Sequence, residues 1–160
     1  MTLRSPLIDP IKSLLTALTI NSISTITSTF TTQPAPIVHE HGLPQLAPFL
    51  GRTFTGIDGG EGIPEYFKII MTTLDIRSMA FEHESNWLVD ETNMAVCLRG
   101  TATFIWRETG QSWDETFIYR IAVAEDESND EAKQGRLLVS EYKVWADTGA
   151  AFLARIGRLH

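Results

Sequence analysis

The run Ile37-Val38-His39-Glu40-His41-Gly42 places two imidazoles two residues apart. On an extended strand residues i and i+2 share a face, so His39 and His41 are expected to point the same way. Imidazole titrates near pH ~6.5, and such a pair can take and return a proton near neutrality. Glu115 is a second candidate, because it interrupts an aromatic face made by Trp113, Phe117 and Tyr119. A carboxylate buried on such a face must be paired with a cation or have its pKa raised. Either state suits a general acid or base. Tyr119 and Tyr142 can donate hydrogen bonds to a carbonyl oxygen as it becomes an enolate. His39, His41, Glu115 and Tyr119 form the expected catalytic set. The competing readings are histidines facing solvent, a Glu at a wet strand edge and tyrosines that are simply packed.

The expected substrate contacts are His83, Trp87, Phe104, Trp106, Trp113, Phe117 and Tyr142, whose rings would suit a flat, ring-containing molecule. These aromatic residues could equally fill the core or a sheet-to-sheet dimer interface, and His83 could be a hydrogen-bonded, half-buried histidine. Two histidines at this spacing, with His83 or Glu115 nearby, also have the donor types of a metal site.

The elements that position these groups are read from periodicity. Asp9 before Pro10 forms an N-cap with proline at the first helical position, and Ile11, Leu14, Leu15 and Leu18 follow at helical spacing. A second helix is expected through Ile20, Ile23, Ile26 and Phe30. Gln33-Pro34-Ala35-Pro36 ends that region, and a short strand follows over Ile37 to His41. The segment from Leu46 to Gly60, with Pro48 and four glycines, reads as a surface loop. Ile63, Phe67, Ile70 and Leu74 mark a helix whose first turn carries Glu61 and Glu65.

From Ser78 the period becomes two. The first strand sets Phe81, His83, Ser85, Trp87 and Val89 on one face. The second sets Leu98, Gly100, Ala102, Phe104 and Trp106 inward, and the third does the same with Trp113, Glu115, Phe117, Tyr119, Ile121 and Val123. A fourth strand spans Leu137 to Trp145, and Asp147 caps a closing helix. The layout is α+β: a curved antiparallel sheet wrapped around helices, enclosing a conical pocket.

With 160 residues the chain is expected to form a single domain, with residues 1–9 a flexible N-terminus. Its 43% apolar and 21% charged residues are those of a folded globular protein. Thirteen Lys and Arg against 20 Asp and Glu give a net charge of −7, which opposes phosphate backbones and anionic lipid. Five of the seven residues from Glu125 to Glu131 are acidic, and this reads as one solvated loop. The single cysteine, Cys97, excludes an intramolecular disulfide framework and points to an intracellular, cytoplasmic protein. Thirteen of the first 33 residues are Ser or Thr with one acid, Asp9, so a transit peptide competes with two short helices as the reading of that segment. No apolar run reaches the ~18 residues of a membrane span.

Gly51-Arg52-Thr53-Phe54-Thr55-Gly56, Gly62-Ile63-Pro64-Glu65-Tyr66-Phe67, Trp113-Asp114-Glu115-Thr116-Phe117 and Glu141-Tyr142-Lys143-Val144-Trp145-Ala146-Asp147 together resemble SnoaL-like proteins of the nuclear-transport-factor-2-like superfamily, in wording closest to small fungal members. The resemblance runs over about residues 10 to 157. It implies the cystatin-like α+β barrel and a homodimer. It also implies a cofactor-free and metal-free isomerase, cyclase or dehydratase acting on a polyketide-like or ring-containing metabolite. A non-catalytic binding or accessory protein with the same pocket is the alternative. In relatives resembling ketosteroid isomerase the base lies on the short strand before a glycine, where His39 falls. The acid common in polyketide cyclases would fall at Val144, and the Arg and Asp of epoxide hydrolases at Gly100 and Ala102. Those mechanisms lack their groups here.

Overall fold

The structure, a computed structural model, describes residues 3–160. Helix α1 (Ile8–Ile20) buries Ile8, Ile11, Leu14 and Leu15, the stripe that a 3.6-residue repeat turns to one side. It begins before the expected cap. Leu7 holds the cap position with no side-chain hydrogen bond, and Asp9 instead pairs with Arg4 at 2.7 Å on the surface. Leu7, within the segment expected to be a flexible N-terminus, is wholly buried; residues 1–2 of that segment lie outside those described. Helix α2 (Ile23–Thr27) starts at Ser22, whose hydroxyl accepts the Thr25 N–H. It is shorter than expected. The hydroxyls of Thr27 and Ser28 bond back to the carbonyls of Ile23 and Thr25, a local competition that disfavours continuing the helix. Phe30 leaves it to bridge Val139.

Strand β1 (Ile37–Glu40) pairs antiparallel with β2 (Thr53–Thr55), which lies inside the stretch expected to be only loop. Helix α3 (Ile63–Thr73) carries proline in its first turn and buries Ile63, Tyr66 and Phe67. Strand β3 (Leu74–Phe81) follows without a break. The strand expected from Ser78 through Val89 stops at Phe81; within β3 the register shifts between Arg77 and Ala80, and Ser78 takes φ 55°. A 3₁₀ turn (Glu84–Asn86) then precedes β4 (Leu88–Asp90). Strands β5 (Ala95–Trp106), β6 (Ser112–Glu125) and β7 (Leu137–Trp145) form the long meander. Helix α4 (Thr148–Arg155) closes the chain, and Asp147 accepts the Ala150 N–H as expected of its cap.

The sheet order is β2-β1-β7-β6-β5-β3, with β4 on β5. It is mixed, not wholly antiparallel, because β1 runs parallel to β7. The helices and the apolar alternate residues of β5, β6 and β7 form one core. Gly100 shapes the concave face. A Cβ there would stand 2.3 Å from Phe117 Cε2, so only glycine lets that ring lie flat across β5.

Candidate active site

Strand pairing sorts the candidate residues by face. Glu40 stands opposite Val144, Val144 opposite Tyr119, and Tyr119 opposite Leu98, forming one row across β1, β7, β6 and β5. All four are buried. One residue earlier on β1, His39 heads the other row, His39–Lys143–Arg120–Cys97, on the opposite side of the sheet. Side chains alternate strictly along a strand, so the two rows cannot share a face. This corrects the expected placement of the histidines. His39 lies on the outer face with Nδ1 3.0 Å from Thr53 Oγ1, His41 is exposed, and the inward titratable group of β1 is Glu40.

Glu40 faces a cavity of about 740 Å³, measured to its atoms and including the open mouth, between the concave sheet and helices α1, α3 and α4. Tyr66, from the first turns of α3, donates its hydroxyl to Glu40 Oε1 at 2.6 Å. Burial is the main cause that pushes the Glu40 pKa up, to about 8, against the lowering effect of the Tyr66 hydrogen bond. The Glu115 charge adds to the rise. Oε1 is occupied by Tyr66, so Oε2 is left to carry the proton. Burial likewise raises the pKa of Tyr66, Tyr119 and Tyr142, and neighbouring negative charge at Glu40 adds to all three. These hydroxyls remain neutral donors at physiological pH.

Glu115 stands on β6 with 9% of its surface exposed. Its Oε1 accepts the indole N–H of Trp113 at 2.7 Å. Its Oε2 is buried without a hydrogen-bond partner. Desolvation is the largest cause of a raised pKa here and the Asp147 charge adds to it, against the lowering effects of the Trp113 bond and of the nearby Asp147 backbone N–H. The two residues are i and i+2 on one strand, which is why the indole reaches the carboxylate.

Of the residues expected at the site, Glu115, Tyr119, Phe104, Trp113, Phe117 and Tyr142 line this cavity. Their rings follow one another along the concave face, with centroids 5.6 Å apart for Phe104 and Trp113, 4.9 Å for Phe117 and Tyr119, and 4.8 Å for Tyr119 and Tyr142. His83, Trp87 and Trp106 lie elsewhere. His83 is exposed and accepts the Ser85 N–H in the 3₁₀ turn, because β3 ends at Phe81 before the expected alternation reaches it. Trp87 is buried with its indole on the Glu82 carbonyl, and Trp106 packs on Phe49. Glu40 and Tyr66 are the residues that sequence reasoning missed. A signal was present: if Val38 belongs to the core, Glu40 must follow it inward.

No protein-family model matches the chain, and no curated protein matches its sequence. Solved structures do match. A nuclear-transport-factor-2-like protein from Burkholderia xenovorans superposes with a TM-score of 0.66 at 13% identity, over 93% of this chain and 95% of that one. TerC, crystallised with polyporic acid, gives 0.65 at 19% identity, over 91% and 95% of the two chains. A ketosteroid isomerase-like protein from Erwinia carotovora atroseptica gives 0.58 at 15% identity, over 87% and 92%. The chain therefore has the nuclear-transport-factor-2-like fold, an α+β cone with the cavity at its centre. Among the described residues no three His, Cys, Asp or Glu converge on a possible metal position, and no helix is long and apolar enough to cross a membrane.

Proposed function

We propose that the protein is an acid–base enzyme of the isomerase, cyclase or dehydratase type, acting without a cofactor on a small ring-containing molecule in the central cavity. The observation that carries this reading is Glu40, a buried carboxyl on an apolar, tyrosine-lined wall, with a pKa pushed up to about 8. A group poised near the working pH can both remove and return a proton. In the proposed step the Glu40 carboxylate takes a proton from a carbon beside a ring carbonyl. The C–H pair becomes the enolate π bond, the Tyr119 hydroxyl donates to the enolate oxygen, and Glu40 returns the proton to carbon. Glu40 takes the part that the resemblance assigned to His39. The fold shared with a ketosteroid isomerase-like protein and with TerC supports a small-molecule cavity of this kind.

The test is α-hydrogen exchange of 2-tetralone in D₂O, followed by NMR. Exchange should exceed the protein-free rate, rise with pH and level off above about pH 8 as Glu40 ionises. Glu40→Gln should lower the enzymatic rate by roughly 10²–10⁴-fold. Exchange no faster than background, or unaffected by Glu40→Gln, would overturn the reading.

Val144 supports the second reading, a non-catalytic binding protein. It lines the cavity as an apolar wall residue where related cyclases would carry an acid. Saturable binding of 2-tetralone without exchange would favour it.

A further inference from the structure

The polar groups of the cavity are unequally used. Two of its donors are spent internally: the Trp113 N–H on Glu115 Oε1 and the Tyr66 hydroxyl on Glu40 Oε1. One acceptor is not: Glu115 Oε2 is buried without a hydrogen-bond partner. Glu40, Glu115 and Asp147 bring three carboxyl groups to the lining, of which Glu40 already accepts the Tyr66 hydroxyl and Asp147 caps α4. Among the described residues no Lys, Arg or His lines the cavity to balance them. A buried carboxylate oxygen with no donor costs free energy that an arriving donor restores. An arriving anion meets no donor cation and adds like charge.

The wall beside Glu115 sharpens the class of donor. The Trp113 and Phe104 ring centroids lie 5.6 Å apart with the planes tilted by 31°, and Phe117 lies 6.0 Å from Phe104. Aromatic faces attract a desolvated cation through the ring quadrupole, tryptophan most strongly. Glu115 meets the Trp113 indole at its N–H edge, and a carboxylate with a free oxygen on such an aromatic wall suits an ammonium group, which offers donors and no acceptor.

We propose that the cavity selects ring compounds carrying a protonated amine, held by Glu115 Oε2 beside the Trp113 and Phe104 rings, and excludes ring compounds carrying a carboxylate or phosphate. This rests on the cavity being the ligand site, not on the proton transfer assigned to Glu40. Glu115 is then the anchor for the ligand nitrogen. Desolvation, the main cause of its raised pKa, is the same imbalance that the ammonium relieves.

The test is a matched series measured by calorimetry on the intact protein at pH 7: 2-aminotetralin, 2-tetralol and tetralin-2-carboxylate, which share one ring frame and differ in charge. 2-Aminotetralin should bind at least tenfold tighter than the carboxylate and tighter than the alcohol. In Glu115→Gln, which keeps an oxygen for Trp113, the preference for amine over alcohol should fall at least fivefold, while 2-tetralol binding persists and shows that the cavity is intact. The inference is overturned by carboxylate binding as tight as amine binding, by an amine preference unchanged in Glu115→Gln, or by no amine binding at millimolar concentration. If Glu115→Gln does not fold, the order of affinities in the unsubstituted protein decides. Exchange of 2-tetralone is read separately: exchange without amine preference overturns only this inference, and amine preference without exchange overturns only the catalytic reading.

Discussion

The Tyr66 hydroxyl reaches from α3 to Glu40 Oε1 on β1 at 2.6 Å and closes the apolar gap between helix and sheet with one short polar contact. Removing the donor strands a buried carboxyl oxygen. Tyr66→Phe should destabilise the fold by about 1–3 kcal/mol in denaturant titration. Because the Tyr66 bond lowers the Glu40 pKa, the same change should move the pH midpoint of α-hydrogen exchange upward. A midpoint that stays in place would show that Tyr66 is not coupled to the proton carrier.

The pH dependence of stability follows from the same group. The Glu40 pKa is about 8 in the folded protein against an ordinary 4.5. Between those values the native state binds a proton that the unfolded chain has released, so stability declines as pH rises through that window. Glu115, also raised, acts in the same direction. Glu40→Gln stays neutral and can still accept from Tyr66. Its melting temperature should match the unsubstituted protein near pH 5 and exceed it near pH 9. Parallel melting curves for the two proteins across that range would contradict the burial argument.

His39 and His41 should be dispensable for cavity chemistry. The sheet separates them from the cavity, and the one hydrogen bond of His39, to Thr53, lies at the surface. The double substitution His39→Ala/His41→Ala should change stability by no more than about 0.5 kcal/mol, with the exchange rate within twofold. A tenfold loss of exchange would return the imidazoles to the mechanism.

Gly100 offers a packing test. In Gly100→Ala the new methyl would stand 2.3 Å from Phe117 Cε2 and 2.5 Å from Cζ, so the ring must shift toward the cavity. The expected cost is about 1–3 kcal/mol, with weaker binding of ring ligands. Adding Phe117→Leu should recover part of the stability, because the two positions face one another across β5 and β6 and their effects are not additive.

The long strands were legible because their alternation persists. Eleven paired positions join β5 and β6, and on β6 the inward residues Trp113, Glu115, Phe117, Tyr119 and Ile121 repeat at two-residue intervals long enough to set the face. Strand β1 has four residues, IVHE, with apolar side chains at both Ile37 and Val38. Either register therefore satisfied the local pattern, and the choice was made by pairing with β7, a hundred residues away. One residue of register put the His39 imidazole on the outer face and a buried carboxyl on the inner one. The register shift at Ser78 was hidden for a related reason: a positive φ at serine has no sequence signal as strong as glycine. Tyr66 was visible as a helix residue, but its partnership with Glu40 depends on where α3 crosses the sheet.

Trp113 also makes the protein its own optical probe. Its indole is hydrogen-bonded to Glu115 on the cavity wall, whereas the other three tryptophans, Trp87, Trp106 and Trp145, do not line the cavity. Emission that changes when the cavity fills, and that survives Trp87→Phe, Trp106→Phe and Trp145→Phe, would arise from this single indole. Entry of a colourless compound could then be followed in real time without attaching a dye.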